Sequence, residues 1–256
     1  MEFFSKLEAR VNEVNSRLCI GIDPLFCEFA AETSSCVMDF CLELISETAH
    51  AAAAFKLNTA FFEARGTEGW QAMESISTKI RDQGIPLILD CKRGDIGTTA
   101  EAYAEAFFGG KLYSDSVTLN PLLGRESVAP FLRYDNKGVF ILCKTSNPGS
   151  ADLQSLLLGT GEPLFMEIAK LFCTPGSHVK LGLVVGATDP RSLKLIADQY
   201  PLFWILAPGL GAQGGDLSAA VSAGGSRTIF PISRGIYINR KFRANAEFLR
   251  DAINNA

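Results

Sequence analysis

The sequence predicts a (β/α)8 barrel, the TIM-barrel form of the α/β class, spanning residues 1–256 as one domain. Three observations predict it. Eight short apolar runs alternate with segments of helical periodicity along 256 residues, the count and size of that barrel. The runs are continuous rather than alternating in polarity, as expected of parallel strands covered on both faces. Polar and turn residues collect just after each run, and in a barrel those strand ends share one rim, where such enzymes carry their chemistry.

In chain order, an amphipathic helix opens the sequence in Met1-Glu2-Phe3-Phe4-Ser5-Lys6-Leu7-Glu8; its acidic residues argue against a signal peptide. Strands are predicted at 18–23, 53–58, 86–92, 116–120, 139–144, 181–186, 203–207 and 228–232. Between them, helices are predicted at 36–48, 67–83, 98–108, 162–172, 190–200 and 243–253. In the first, Val37, Cys41, Leu44 and Ile45 fall close to one helix face. Asp189-Pro190 marks a helix start, an N-cap followed by a proline already set to helical φ.

Composition narrows the function classes. The net charge of -4 argues against a nucleic-acid surface, and no run reaches the ~18 apolar residues of a membrane span. Seven cysteines include Cys19, Cys91, Cys143 and Cys173 inside apolar runs, none in a CxxC pair, with only His50 and His178 as further zinc-ligand candidates. Buried reduced thiols in a cytosol-like compartment are the expectation.

The chemistry concentrates in Leu87-Ile88-Leu89-Asp90-Cys91-Lys92-Arg93-Gly94-Asp95-Ile96-Gly97. A strand this apolar ends in alternating charges, and Asp90 and Lys92 leave the same strand face. Buried charge is costly unless paired, and this spacing supplies the pair. Asp95 follows in the loop, able to approach the same lysine in its own subunit or a neighbour's. Lys56 near the end of the second strand and Asp23 at the end of the first bring more charge to the same rim. After strands seven and eight come Pro208-Gly209-Leu210-Gly211-Ala212-Gln213-Gly214-Gly215-Asp216 and Ser233-Arg234-Gly235. Loops at those two places form the recurrent phosphate grip of the barrel, with glycine backbone N–H groups and the Arg234 fork as donors.

At these residues the chain resembles the orotidine 5′-phosphate decarboxylase family. The family's D-x-K-x-x-D-I-G signature stands as Asp90-Cys91-Lys92-Arg93-Gly94-Asp95-Ile96-Gly97. The likeness extends through Ile22-Asp23-Pro24, Phe55-Lys56-Leu57-Asn58, Lys144-Thr145-Ser146-Asn147-Pro148 and Val184-Val185-Gly186-Ala187. It closes with the glycine-rich segment and Ser233-Arg234-Gly235, where some members carry glycine in place of Ser233. The resemblance implies decarboxylation of orotidine monophosphate (OMP) to UMP without metal or organic cofactor, in a homodimer with active sites at the interface. It implies that Lys92 protonates C6 of the pyrimidine and that Asp90 sits against the substrate carboxylate. Asp95 and Thr99 are then expected from the partner subunit, Thr99 reaching the ribose. Lys56 is expected to bond Asp90 and the ribose, Asp23 and Asn58 the ribose hydroxyls, and Ser146 the uracil edge. Gln213 and Arg234 are expected on the phosphate, with the loop after Gln213 as a lid. Some eukaryotic members are fused to orotate phosphoribosyltransferase, so a missing half carrying an organellar address stays open beside the cytoplasmic expectation.

Two rival readings make different demands. A metal-dependent sugar-phosphate lyase or synthase of the same superfamily wants an extra carboxylate at the end of strand two, and the nearest, Glu63, lies well into the loop. A non-catalytic nucleotide-sensing barrel predicts loss of Lys92 or an aspartate, and all are present.

Overall fold

In the computed structural model the described residues are 1–24, 34–211 and 215–256. Helix α1 (Phe3–Val14) precedes β1 (Leu18–Ile22). There follow α2 (Ser34–Thr48), β2 (Ala54–Asn58), α3 (Thr59–Glu63), α4 (Gly66–Asp82), β3 (Leu87–Arg93) and α5 (Gly97–Ala104). The chain continues through β4 (Ser116–Leu119), α6 (Ala129–Leu132), β5 (Gly138–Lys144), α7 (Leu164–Phe172), β6 (Leu181–Val185) and α8 (Pro190–Gln199). It ends with β7 (Ile205–Leu206), α9 (Leu217–Gly224), β8 (Thr228–Ile232), α10 (Arg234–Tyr237) and α11 (Phe242–Asn254). The strands close into one barrel in sequential order, β8 pairing back on β1 in parallel.

Each strand turns alternate residues to two apolar layers. Leu18, Ile20 and Ile22 of β1, Phe55 and Leu57 of β2, and Leu87 and Leu89 of β3 join the layer beneath the helices. Cys19, Ala54, Ile88, Phe140, Val184, Leu206 and Ile229 form the barrel interior. Both layers are apolar, which is why the strands read as unbroken runs. Burying each large apolar side chain contributes about 1.5–3 kcal/mol. Helix α1 supplies Phe3, Phe4 and Leu7 to the interior layer. The Phe3 and Phe4 rings meet Phe140 edge-on at 6.1 and 5.3 Å.

Two predicted elements end differently. Strand seven shrinks from 203–207 to Ile205–Leu206: the Phe203 N–H bonds back to the Tyr200 carbonyl at 3.0 Å, and Pro208 has no N–H to extend the ladder. The helix predicted at 98–108 stops at Ala104 and continues as a π turn over Glu105–Gly109. Helix α9 lies in a segment where periodicity predicts none; the Asp216 side chain caps it, accepting from Ala219 N at 3.1 Å.

Cys19, Cys41, Cys91 and Cys143 are buried free thiols and Cys173 is half-buried. Burial pushes the Cys19, Cys41, Cys91 and Cys173 thiols up to about 12, so they behave as small apolar groups rather than nucleophiles. Among the described residues no helix is long and apolar enough to cross a membrane.

Candidate active site

The inward positions, mostly apolar at mid-barrel, become polar one step nearer the C-terminal rim. Asp23 follows Cys19 and Gly21; Lys56 and Asn58 follow Ala54; Asp90 follows Ile88; Thr118 follows Ser116; Ser233 follows Ile229 and Pro231. These side chains surround a cavity of about 430 Å³, which Lys92, Ser146, Pro208, Gly209 and Arg234 also line. Leu142, Val184, Leu206 and Pro231 give it an apolar side. It therefore suits a flat ring with charged and hydroxylated substituents, at the volume of an ordinary small-ligand site.

Four charges alternate along the polar wall. Lys92 Nζ donates to Asp90 Oδ1 at 2.6 Å, and Lys56 Nζ donates to Asp90 Oδ2 at 2.9 Å. The Lys56 ammonium also lies 3.9 Å from Asp23 Oδ1. Burial alone would raise the Asp90 carboxyl, yet the two lysines hold it well below the usual carboxylate range. Burial alone would lower Lys56; Asp90 and Asp23 reverse this and hold it above the usual ammonium range. Both groups are thus fixed in their charged forms, an arrangement only mutual pairing makes affordable in an interior.

Lys92 reaches this position through an irregular strand end. Its φ is 47°, left-handed and unusual for a non-glycine residue, and the β3–β4 register shifts between Leu89 and Arg93. Thr118 supports the distortion. Its hydroxyl donates to Asp90 Oδ1 at 2.9 Å and accepts from Lys92 N at 3.0 Å. The glycine in the Arg93-Gly94-Asp95 turn is required by space: a Cβ on Gly94 would stand 2.8 Å from the Asn120 carbonyl oxygen. Glu63, the rival metal ligand, is bonded to Arg93 and is absent from the cavity lining.

The remaining predicted site residues fall into three groups. Ser146 and Arg234 line the cavity beside Asp23, Lys56, Asn58, Asp90 and Lys92. The Ser146 carbonyl accepts from Thr188 Oγ1 at 2.8 Å, which holds the loop after β5. Asn58 Oδ1 accepts from Ala60 N at 3.3 Å as the cap of α3, leaving the amide N–H groups for a ligand. Asp95 and Thr99 do not line their own chain's cavity; Asp95 Oδ1 accepts from Ile96 N at 2.8 Å, and Thr99 is exposed on α5. Gln213 and Gly214, where the expected lid begins, lie outside the described residues. Lys144 is buried against the Ser150 and Ser155 hydroxyls, at 3.0 and 2.8 Å, and does not line the cavity.

Thr118 and Ser233 were not anticipated as site residues. Both are uncharged, and their signal is positional only: each occupies the inward register at a strand's C-terminal end.

The model of the orotidine 5′-phosphate decarboxylase / HUMPS family matches residues 16–248. A relative named orotidine 5′-phosphate decarboxylase from Roseiflexus castenholzii is 44% identical, covering 100% of this chain and 98% of its own. Among solved structures, Leishmania donovani OMP decarboxylase superposes with a TM-score of 0.89 at 40% identity, over 100% of this chain and 98% of that one. Leishmania donovani UMP synthase superposes with a TM-score of 0.91 at 42% identity, over 99% of this chain and 56% of that one.

Proposed function

Because the chain belongs to the orotidine 5′-phosphate decarboxylase / HUMPS family, we propose that it is an orotidine 5′-phosphate decarboxylase, converting OMP to UMP for pyrimidine biosynthesis. The observation that carries the mechanism is the alternating array Asp23, Lys56, Asp90, Lys92 along one cavity wall. Decarboxylation breaks the bond from C6 to the carboxylate and leaves its electron pair on C6. No carbonyl is placed to delocalise that pair, so nearby positive charge must stabilise it. The Lys92 ammonium, already oriented by Asp90, does this without reorganising solvent and then gives C6 its proton. Asp90 stays ionised beside the departing carboxylate.

The rest of the ligand is assigned by the family resemblance. Asp23 and the Asn58 amide take the ribose hydroxyls, Lys56 bonds the ribose edge and Asp90, and Ser146 takes the uracil edge. Arg234, with Gln213 and the glycine-rich segment, takes the phosphate, whose remote binding holds the ring in place. The chemistry asks for no metal or organic cofactor. The rival metal-dependent lyase is disfavoured because Glu63 is engaged by Arg93.

A homodimer accounts for Asp95 and Thr99, which stand outside their own chain's cavity. Ile96, next to Asp95, and Leu122 and Leu123, just after the Asn120 that packs on Gly94, are 46%, 76% and 46% exposed, apolar surface of the kind that marks an interface. Residues 1–256 are read as one catalytic domain. The match to part of a UMP synthase supports the expectation that this barrel also occurs joined to orotate phosphoribosyltransferase. The buried thiols agree with a reducing, cytoplasm-like setting.

The test is loss of OMP absorbance on conversion to UMP in the presence of EDTA. Turnover undiminished by the chelator is expected. No turnover would overturn the assignment, and turnover abolished by EDTA would overturn its cofactor-free form.

A further inference from the structure

Ser233 stands where some family members have glycine, and the reading above gives its side chain no task. Its hydroxyl donates to Asp23 Oδ2. The other Asp23 oxygen, Oδ1, is buried and among the described residues has no hydrogen-bond partner, with Lys56 Nζ 3.9 Å away. The Asp23 backbone is held from the same direction: its N–H donates to the Tyr237 hydroxyl at 2.9 Å, and that hydroxyl donates to the Gly21 carbonyl at 2.5 Å. The space for Ser233 comes from the neighbouring strand β1. A Cβ on Gly21 would lie 2.1 Å from Ser233 Oγ, so the serine hydroxyl occupies the volume that any other residue at position 21 would fill.

We propose that Ser233 is a positioning residue that sets recognition of the ligand's sugar: by binding Asp23 Oδ2 it fixes the plane of the carboxylate, with buried Oδ1 on the Lys56 side and the remaining lone pair of Oδ2 as the acceptor for a ribose hydroxyl. A carboxylate can rotate about its last torsion, which is broad and roughly two-fold. Without a second anchor, the Asp23 carboxylate plane could turn away from the ligand. With Oδ2 anchored by Ser233, the carboxylate plane and the direction in which it accepts from a ligand are fixed. Ser233 immediately precedes Arg234, so one short segment after β8 orients the sugar acceptor and supplies the phosphate-binding arginine. The inference rests on the reading of Asp23 as a ribose ligand.

The experiment measures competitive inhibition by UMP and by its 2′-deoxy and 3′-deoxy forms in the wild type, Ser233→Ala, Ser233→Gly and Asp23→Ala, with melting temperatures alongside. Asp23→Ala calibrates the site by removing the preference for the ribose form. Both Ser233 variants are expected to lower that preference about tenfold, the scale of a hydrogen bond to a charged group, while affinity for the deoxy form stays near wild type. Two variants are used so that one misfolding substitution cannot hide the result. If the Ser233 variants weaken UMP and its deoxy forms equally, or keep the wild-type preference while Asp23→Ala loses it, the positioning role is overturned and the ribose assignment stands. If Asp23→Ala also keeps the preference, the ribose assignment itself fails and the inference with it.

Discussion

The Lys92 ammonium donates to Asp90 Oδ1 at 2.6 Å, although Lys92 is half-exposed and Asp90 is the carboxylate that buried Lys56 also depends on. The two lysines are therefore not equivalent. Lys56 is locked into the interior by Asp90, whereas Lys92 is held at the cavity edge with a free face toward a ligand. Substitution at Lys92 should injure chemistry while sparing the fold. Lys92→Ala is expected to lower turnover by at least about 10⁴-fold, since it removes both the proton donor and the stabilising charge. UMP affinity by calorimetry and the melting temperature should change little. Surviving turnover would reassign the acid.

Asp90→Asn should damage stability as well as chemistry. Lys56 would keep its charge in a buried position with only Asp23, 3.9 Å away, as a counter-ion. Removing one partner of a buried pair costs on the order of 3 kcal/mol, and urea unfolding is the measurement. A cost near zero would show that Lys56 finds solvent or another anion in the native state.

That cost should depend on pH in a defined way. Asp90 is held below its ordinary value of 3.8, so its stabilisation is fully present above that value and is lost as pH falls toward the folded-state value. Lys56 is held above its ordinary value of 10.5, so its contribution is complete below 10.5 and is lost only as pH rises through the higher folded-state value. The difference in unfolding free energy between wild type and Asp90→Asn should be flat between about pH 5 and 9 and shrink below about pH 4. A difference that changes steeply near neutrality would point to another titrating group.

Thr118 joins the Asp90 carboxylate to the Lys92 backbone, the two residues proposed to carry the chemistry. Thr118→Val keeps the shape and removes the hydroxyl, leaving the Lys92 N–H without its acceptor at a left-handed residue. Stability should fall by about 1–3 kcal/mol, and kcat should fall by about ten- to a hundredfold through misplacement of Lys92. Thr118→Ser should restore most of both. A kcat equal to wild type in the valine variant would show that packing alone holds the β3 end.

These residues also mark what could be read from the chain. The strand positions were legible because both faces of each strand are buried, which leaves unbroken apolar runs. The charged rim was legible because an apolar strand ending in Asp90 and Lys92 needs a reason. Helix α9 was not legible: Leu-Ser-Ala-Ala-Val-Ser-Ala-Gly offers little polarity contrast around the helix, and only the Asp216 cap announced it. Thr118 and Ser233 were not legible either, because an uncharged side chain acquires its task from neighbours brought up by other strands. The left-handed Lys92 had no local signature, since no glycine or asparagine marks the turn. Asp95 was legible as part of the signature, but its approach to Lys92 depends on the proposed homodimer.

That dependence gives the last prediction. Asp95 is occupied with its own Ile96 N–H and lines no part of its own chain's cavity, so in the proposed homodimer its effect on Lys92 comes through the partner. An Asp95→Ala chain and a Lys92→Ala chain should each be nearly inactive alone. In a mixed dimer, one of the two sites draws Lys92 from the first chain and Asp95 from the second, and is whole. The other site carries both defects. With random assortment half of the dimers are mixed, and each has one working site of two, so the mixture should recover about a quarter of wild-type activity if the sites act independently. Differently tagged chains, purified as confirmed mixed dimers, should reach about half. Activity that stays at the level of the parent variants in confirmed mixed dimers would mean that each site is built within one chain, and that Asp95 reaches Lys92 by a movement of its own loop.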